Sequence, residues 1–361
     1  MRRAVELRRV GYAALALALS IAAALLVAET AGAQKPVITD TKPIEVVARP
    51  IHGFDRQEID RQQFGRLKWR GGLVLSSLAE EFGGFSGVVL DDQGRRLFAV
   101  ADTGAWLSAE VGYDGTRPAR LQRAWMGPLR ARDGTPLIRN RDRDAEAVAL
   151  AEGSLTNGIV LIAFEQFHRI GRFRITEAGP SAPLHYLELP PEVKLRSNRG
   201  FEAVSVLRGG PLKNSTIAFA ERLKDDRGHH TGWIWLDGKP RKLFLTDIGG
   251  FDISDAAALD DGGLVVLERR FNWIEGFKMR LRLVRPDEIS AGAVMQGDVL
   301  FEADMRYEID NMEGVAVHRG PYGETVITVL SDDNFHPFQR TILLQFTLEK
   351  ELSTERGEAS D

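Results

Sequence analysis

The sequence predicts an all-β protein: a single β-propeller in which five blades are favoured and six are possible. A short motif recurs five times at intervals of 53 to 60 residues, which is typical of a repeat architecture. Each copy opens a pair of apolar runs joined by a turn, and two further apolar runs usually follow. Four strands per repeat of about 40–50 residues are typical of a propeller blade. The motif anchors are Ser86, Glu146, Glu202, Asp255 and Glu313.

The first two strands of each repeat form a predicted hairpin. Short runs rich in Val, Ile and Phe, bounded by Gly and Asp, indicate strands. Turn sequences such as residues 91–94 and 260–263 join the two runs. In every repeat the second run ends in an acidic residue. These residues are Asp102, Glu165, Glu221, Glu268 and Asp332.

The outer strands follow each hairpin, and the last repeat lacks one of them. After Asp332 there is only one further apolar run, residues 342–348. We therefore expect an N-terminal strand, either residues 44–48 or residues 67–75, to complete that blade and close the ring. The outer runs of the middle repeats are residues 169–175, 184–189, 232–236, 242–246, 279–285 and 299–303.

The N-terminus has the pattern of a secretory signal peptide, residues 1–33. An arginine-rich start precedes an apolar run, and Ala31-Gly32-Ala33 forms a small-residue cleavage site. The run is short for a membrane span, so cleavage is favoured over the alternative of a membrane anchor. We expect a periplasmic or secreted protein with no stable membrane insertion after cleavage. Residues 34–79 are then the lead-in and closing strands, 80–348 the propeller and 349–361 a polar tail.

Composition excludes several classes of chemistry. The chain has 361 residues, no cysteine and a formal net charge of −4. Disulfides, thiolate nucleophiles and cysteine-bound zinc are therefore excluded. The mildly acidic balance argues against nucleic acid as a partner. We expect a monomer.

The acidic residues are expected to meet at one end of the propeller channel. In a hairpin, the start of the first strand and the end of the second strand lie at the same face, and the acids occur at these two places. About nine carboxylates would surround one channel mouth. Their repulsion must be relieved by protonation, by basic partners or by a metal, and an all-oxygen set suits a hard divalent cation such as calcium. The alternative is structural: such residues can cap turns and pair with arginines between blades.

The motifs resemble a known bacterial family, the phytase-like proteins described as having esterase-like activity of phytase. The resemblance covers roughly residues 80 to 348 and implies an exported β-propeller that hydrolyses phosphate or other esters. The matching pieces are Gly84-Phe85-Ser86-Gly87, Arg143-Asp144-Ala145-Glu146, Asn198-Arg199-Gly200-Phe201-Glu202, Leu264-Val265-Val266-Leu267-Glu268-Arg269, Asn311-Met312-Glu313-Gly314 and Ser331-Asp332-Asp333-Asn334-Phe335.

Metal-assisted hydrolysis of a phosphoester is the leading hypothesis. A divalent ion among the mouth carboxylates would polarise the ester oxygen and acidify a bound water. Glu221 or Glu268 would serve as general base. Arginines would hold the anionic part of a small substrate through paired hydrogen bonds. The predicted metal ligands are Glu146, Glu202, Glu313 and Asp332, and the predicted substrate-binding residues are Arg199, Arg222 and Arg269.

Two other functions fit the same pattern. The first is a non-catalytic periplasmic propeller that binds a ligand or a protein partner at the mouth. The second is a propeller enzyme that acts on a sugar or lactone with the same metal chemistry. Substrate profiling separates the second from a phosphoesterase.

The aromatic residues are expected to be structural for the most part. The six tryptophans are predicted to pack between blades rather than on a ligand. They are Trp69, Trp106, Trp125, Trp233, Trp235 and Trp273.

Overall fold

The computed structural model describes residues 35–190 and 200–349. The predicted signal peptide, the segment that contains Arg199 and the predicted tail beyond Glu349 lie outside the described residues. Within those ranges the regular structure is almost entirely β, apart from one short helix, α1 (Asn140–Arg143), and a 3-10 turn (Pro286–Glu288). No helix in the described ranges is long and apolar enough to cross a membrane.

The strands are numbered in chain order. They are β1 (Lys42–Ile44), β2 (Val47–Ile51), β3 (Gln63–Phe64), β4 (Leu67–Ser76), β5 (Phe85–Leu90), β6 (Arg96–Ala101), β7 (Ala105–Asp114), β8 (Arg117–Pro128), β9 (Ala145–Ser154), β10 (Asn157–Phe164), β11 (Arg169–Thr176), β12 (Gly179–Tyr186), β13 (Phe201–Val206), β14 (Thr216–Lys224), β15 (His230–Leu236), β16 (Lys239–Leu245), β17 (Asp252–Ala258), β18 (Leu264–Asn272), β19 (Gly276–Val284), β20 (Val294–Met295), β21 (Asp298–Ala303), β22 (Asn311–Arg319), β23 (Thr325–Asp332) and β24 (Thr341–Leu348).

Five sheets form the five blades of a propeller. Blade I is β5-β6-β7-β8-β1, blade II is β9-β10-β11-β12, and blade III is β13-β14-β15-β16 with β20 added in parallel. Blade IV is β17-β18-β19-β21, and blade V is β22-β23-β24-β4-β2 with β3 beside β4. The innermost strands β5, β9, β13, β17 and β22 contact one another in a closed circle. The predicted fold class, a five-bladed propeller, is confirmed.

An N-terminal strand closes the ring, as predicted. Of the two candidates, the run at residues 67–75 does so: β4 pairs antiparallel with β24 over the whole of β24, for example Leu73 with Leu343. The other candidate, residues 44–48, is divided between two strands. β1 pairs with the outer strand of blade I and β2 pairs with β4 in blade V, so this segment joins the first and last blades.

Apolar clusters lie between successive blades. In the described residues there are five such clusters, one at each interface of the ring. The prediction that tryptophans pack between blades holds for four of them: Trp106 and Trp233 are fully buried, and Trp69 and Trp235 are nearly so. It is wrong for Trp125 and Trp273, of which the latter is 85% exposed.

Each innermost strand carries a β-bulge near the same end. In blade III, for example, Phe201 pairs with Ala220 and Ala203 pairs with Phe219, so Glu202 has no partner in the ladder. A bulge of this kind bends the strand and redirects the extra side chain. In blade IV the bulge falls at Ser254, one residue before the predicted anchor. The five bulge residues are Ser86, Glu146, Glu202, Ser254 and Glu313.

The channel below the bulges is filled by small apolar side chains. Valines and alanines from all five innermost strands surround a cavity of only about 20 Å³ there. The channel at this depth is therefore too narrow for a small molecule to pass through.

Candidate functional site at the channel mouth

Two residues from each blade lie at the mouth. The first is the bulge residue of the innermost strand. The second, which we call the flank residue, belongs to the next strand. The residue just before it in the chain pairs with the residue just before the bulge. Glu221, for example, follows Ala220, and its N–H donates to the carbonyl of Gly200 at 3.1 Å. The flank residues are Asp102, Glu165, Glu221, Arg269 and Asp332.

Blade IV differs from blades II, III and V at both positions, and from blade I at the flank position. It has Ser254 at the bulge and Arg269 at the flank, where the other blades have mostly acids. Adjacent residues on a strand face opposite sides, so Glu268 faces away from the contacts made by Arg269. Glu268 is completely buried and pairs with Arg282 and, at 3.6 Å, with Arg280. The structure does not bring Glu268 into the carboxylate groups at the mouth.

Asp255, the predicted anchor of blade IV, is also a buried residue with backbone partners. Its carboxylate accepts N–H donation from Ala256 and from Val315, each at 2.8 Å. Burial raises the pKa of Asp255 well above its ordinary value, and these two hydrogen bonds oppose the rise. Asp255 therefore joins the innermost strands of blades IV and V.

The carboxylates at the mouth form two groups that share Glu165. Asp144, Glu146 and Glu165 each offer an oxygen within 4.8 Å of the others, and so do Glu165, Glu202 and Glu221. Gly200 permits this approach, because a Cβ atom there would lie 2.4 Å from the Cα of Glu165. Blades II and III thus provide the most concentrated set of oxygen ligands in the described ranges.

Burial and mutual repulsion raise the pKa values of these acids. Burial raises the pKa of Glu146 well above its ordinary value, and repulsion from Glu202 and Asp144 raises it further. Burial likewise raises the pKa of Glu202, with repulsion from Glu221 and Glu313 added. A site that stabilises protons in this way gains from a cation that replaces them.

Glu165 titrates near neutrality. Burial, repulsion from Asp144 and repulsion from Glu221 raise its pKa to about 7, and the Arg222 guanidinium opposes the rise. The shared residue of the two groups therefore changes its charge in the physiological pH range.

Arg269 supplies positive charge beside the two groups. Its Nε lies 3.2 Å from Glu313, one terminal nitrogen lies 3.6 Å from Glu221, and the other donates to the side-chain oxygen of Asn311 at 3.1 Å. Burial opposes its charged form, but the carboxylates of Glu313 and Glu202 raise the pKa of Arg269 above its ordinary value. Arg269 is thus a permanent cation among carboxylates.

Arg222 is the second predicted substrate-binding residue in the described ranges. It lies 3.0 Å from Glu221 and 3.4 Å from Asp252, and its side chain is 57% exposed. Arg222 and Arg269 therefore both contact Glu221, and Arg222 remains accessible to an anion from solvent. Arg199, the third predicted residue, lies outside the described residues.

Glu313 and Asp332, two of the predicted metal ligands, belong to neither group. Glu313 accepts from the Asn311 amide at 2.8 Å and pairs with Arg269. Asp332 accepts from the N–H of Asn334 at 2.6 Å. Burial raises the pKa of Asp332 well above its ordinary value, and repulsion from Asp102 and Glu313 adds to it.

The donor set fits a hard divalent cation. Every member of the two groups is a carboxylate, which is the donor that calcium prefers, and no sulfur or imidazole nitrogen takes part. The raised pKa values of Glu146 and Glu202 show that their ionised forms lack enough positive partners in the protein, which a bound cation would supply. The acidic groups at the mouth could therefore hold a metal ion.

Comparison with known proteins identifies the family. The family model described as "Phytase-like: Esterase-like activity of phytase" matches residues 80–335. The chain belongs to the phytase-like family. The match spans the bulge and flank residues of all five blades, and the resemblance predicted from the motifs is confirmed. No curated protein matches the sequence.

Solved structures similar to this phytase-like chain share little sequence with it. An endo-arabinase from Bacteroides thetaiotaomicron is 12% identical, covering 74% of this chain and 95% of its own, with a TM-score of 0.47. A gluconolactonase from Xanthomonas campestris is 11% identical, covering 86% and 97%, with a TM-score of 0.40. The Dos1 propeller is 8% identical, covering 79% and 76%, with a TM-score of 0.35.

Asp144 and Glu165 are site residues to which the sequence analysis gave no role in the chemistry. Asp144 precedes β9, in the Arg143-Asp144-Ala145-Glu146 motif, and Glu165 ends the run that forms β10. Both motifs were visible in the sequence. What the spacing could not show is that Glu165 reaches the acids of two neighbouring blades.

A cleft opens beside Arg269 in this phytase-like propeller. It has a volume of about 460 Å³ and includes Arg222, Arg269 and Glu313 on its polar side. Phe271 and Phe277, from the hairpin between β18 and β19, form an apolar side. The cleft therefore gives a small molecule access to Arg269 and to Glu313.

Proposed function

We propose that this phytase-like protein is an exported, metal-dependent hydrolase that cleaves phosphoesters at the channel mouth. The observation that supports it is the pair of carboxylate groups sharing Glu165, with raised pKa values and two arginines beside them. Carboxylates for a cation and guanidinium groups for an anion are the two components that metal-assisted ester hydrolysis needs.

Calcium is the cation that we propose. Glu165 would be the central ligand, with Glu146 and Glu202 as further ligands from blades II and III. A bound calcium ion would supply Lewis-acid polarisation of the ester oxygen and would lower the pKa of water. The carboxyl groups of Glu313 and Asp332, also predicted as ligands, would add negative charge around the ion, next to Arg269 and Asp102.

The remaining residues would hold the substrate and move a proton. Arg222 and Arg269 would orient the anionic group of the ester through charge-assisted hydrogen bonds. Glu221 lies in the same group as Glu165 and Glu202, and we assign it the role of accepting a proton from the attacking water. Glu268, the other predicted base, takes no part in this proposal because its carboxylate is fully buried and belongs to neither group.

Calcium titration calorimetry of the full protein tests the metal site. Glu146→Gln and Glu202→Gln should each weaken calcium binding by about 10-fold or more, as loss of one ligand charge would. Glu152→Gln is the matched control, because Glu152 is an exposed acid at the opposite end of the same strand as Glu146. If all three variants bind calcium with equal affinity, or if the protein binds no divalent cation, the proposed metal site is wrong.

Hydrolysis is tested separately from binding. An aryl phosphate monoester should be hydrolysed only when the divalent ion is present, and Glu221→Gln should lower kcat by about 100-fold or more while calcium still binds. If calcium and phosphate bind but no ester is cleaved, the non-catalytic binding propeller replaces this proposal.

A further inference from the structure

The hairpin between β18 and β19 presents apolar side chains to solvent at the mouth. Trp273 is 85% exposed, Ile274 is 96% exposed and Phe271 is 45% exposed. Four of the six tryptophans are largely buried, so the exposure of Trp273 is not general for tryptophan in this chain. Large apolar groups clustered beside a cleft are typical of a recognition surface.

Polar contacts hold the tip of this hairpin in one conformation. The Asn272 side-chain oxygen accepts N–H donation from Ile274 at 2.8 Å and from Glu275 at 2.9 Å. Arg270 and Lys278 both pair with Glu275, each at 2.9 Å. The exposed aromatic residues are therefore pre-organised, which lowers the entropy cost of binding a ligand.

The aromatic residues continue from the tip into the cleft. Phe271 meets Trp273 edge-to-face at 5.3 Å between ring centroids and packs against Phe277 at 4.8 Å. Phe271 and Phe277 line the cleft together with Arg222 and Arg269. One ligand in this cleft can thus contact both aromatic rings and guanidinium groups.

The charges around the cleft limit how much negative charge a ligand can carry. The three arginines that line the cleft are already paired: Arg222 and Arg269 with Glu221, Asp252 and Glu313, and Arg270 with Glu275. The neighbouring groups hold five carboxyl side chains, those of Asp144, Glu146, Glu165, Glu202 and Glu221. A single anionic group, close to a bound cation, is compatible with this balance, whereas several phosphates on one molecule would be repelled.

We propose that the cleft selects a monophosphate ester whose alcohol portion is an aromatic ring, packed against Phe271 and Phe277 with Trp273 at the rim. This inference rests on the proposed function, since it names the substrate class of the same site. A cleft of this kind would prefer such a monophosphate ester to a highly phosphorylated polyol.

Binding of two non-hydrolysable phosphonates to the calcium-loaded full protein tests the inference without turnover. Benzylphosphonate and ethylphosphonate differ only in a phenyl ring in place of a methyl group. Benzylphosphonate should bind about 10-fold more tightly, the factor expected for burial of an aromatic ring. Trp273→Ala and Phe277→Ala should remove most of this preference by weakening benzylphosphonate binding more than ethylphosphonate binding. Tyr322→Ala is the control, because Tyr322 is 86% exposed in the turn between β22 and β23, at the opposite end of the innermost strand from Glu313.

The outcomes for the inference and for the proposed function are distinct. Equal affinity for the two phosphonates, no binding of benzylphosphonate, or tighter binding of myo-inositol hexakisphosphate would overturn the inference, even if esters are hydrolysed. A preference for benzylphosphonate that depends on Trp273 and Phe277 supports the inference even when no ester is cleaved, and in that case only the proposed catalysis fails.

Discussion

Two residues of blade IV, Ser254 and Arg269, make the channel mouth asymmetric. The equivalent positions of blades II, III and V are all acidic, as is the flank position of blade I, so an arginine at this point lies among carboxylates. A ring of acids alone would attract cations and repel every anion. Because Arg269 contacts both Glu221 and Glu313, one side of the mouth can accept an anionic group while blades II and III hold a cation.

The pH dependence of stability should report the titration of Glu165. Its pKa lies at about 7 in the folded protein and near 4.5 when unfolded, so between these values the folded state binds the extra proton. Stability of the metal-free protein should therefore fall as pH rises through this window, and calcium should restore it above the window. Melting temperatures measured across the window, with and without calcium, check this.

Glu165→Gln is the decisive variant for that titration. An amide does not titrate, so the fall in melting temperature with rising pH should become shallower, while Glu152→Gln should leave it unchanged. A wild-type slope in Glu165→Gln would mean that other groups control the pH response.

At the scale of the element, the bulges determine which side chains reach the mouth. The repeat motif located four of the five bulge residues from sequence, because each begins a short apolar run. It missed Ser254 in favour of Asp255, since a bulge interrupts the two-residue alternation that strand reasoning depends on. For the same reason the sequence analysis expected Glu268 at the mouth, whereas the flank residue of blade IV is Arg269.

Deletion of single residues from β13 should distinguish a bulge residue from a ladder residue. Deleting Glu202 leaves the pairs on both sides of it intact, so the protein should fold about as stably as Glu202→Gln. Deleting Val204, which pairs with Ala218 and is buried, forces the strand to slip by one residue. We expect a loss of about 3 kcal/mol or more, as for large deletions from a core. Chemical denaturation measures both, and equal losses would contradict the assignment of the bulge.

At the scale of the whole molecule, the ring could be predicted from sequence because its repeats are regular. The sequence also predicted that the acids gather at one mouth, since that follows from hairpin topology alone. It could not decide which of two N-terminal runs closes the ring, because both are short and partly apolar. Nor could it show that Glu165 is shared by two carboxylate groups, or that Trp273 is exposed. These features depend on distances between blades and on one hairpin tip, which spacing along the chain does not encode.

The closure of the ring leads to a prediction about the folding unit. The family match covers residues 80–335, which omits β4 and β24, two of the central strands of blade V. A fragment of that length would lose the buried side chains of Trp69, Leu73, Leu343 and Phe346. Each fully buried apolar side chain contributes about 1.5–3 kcal/mol, while the net stability of a domain is only about 5–15 kcal/mol.

Residues 80–335 alone should therefore show no cooperative thermal transition, whereas residues 35–349 should unfold in a single one. Adding a separate peptide of residues 35–79 to a fragment of residues 80–349 should restore a transition, because β4 then pairs again with β24. Circular dichroism against temperature measures all three. A cooperative transition in residues 80–335, at a melting temperature close to that of residues 35–349, would show that four blades and an open edge suffice, and that the N-terminal strand is not what holds the ring closed.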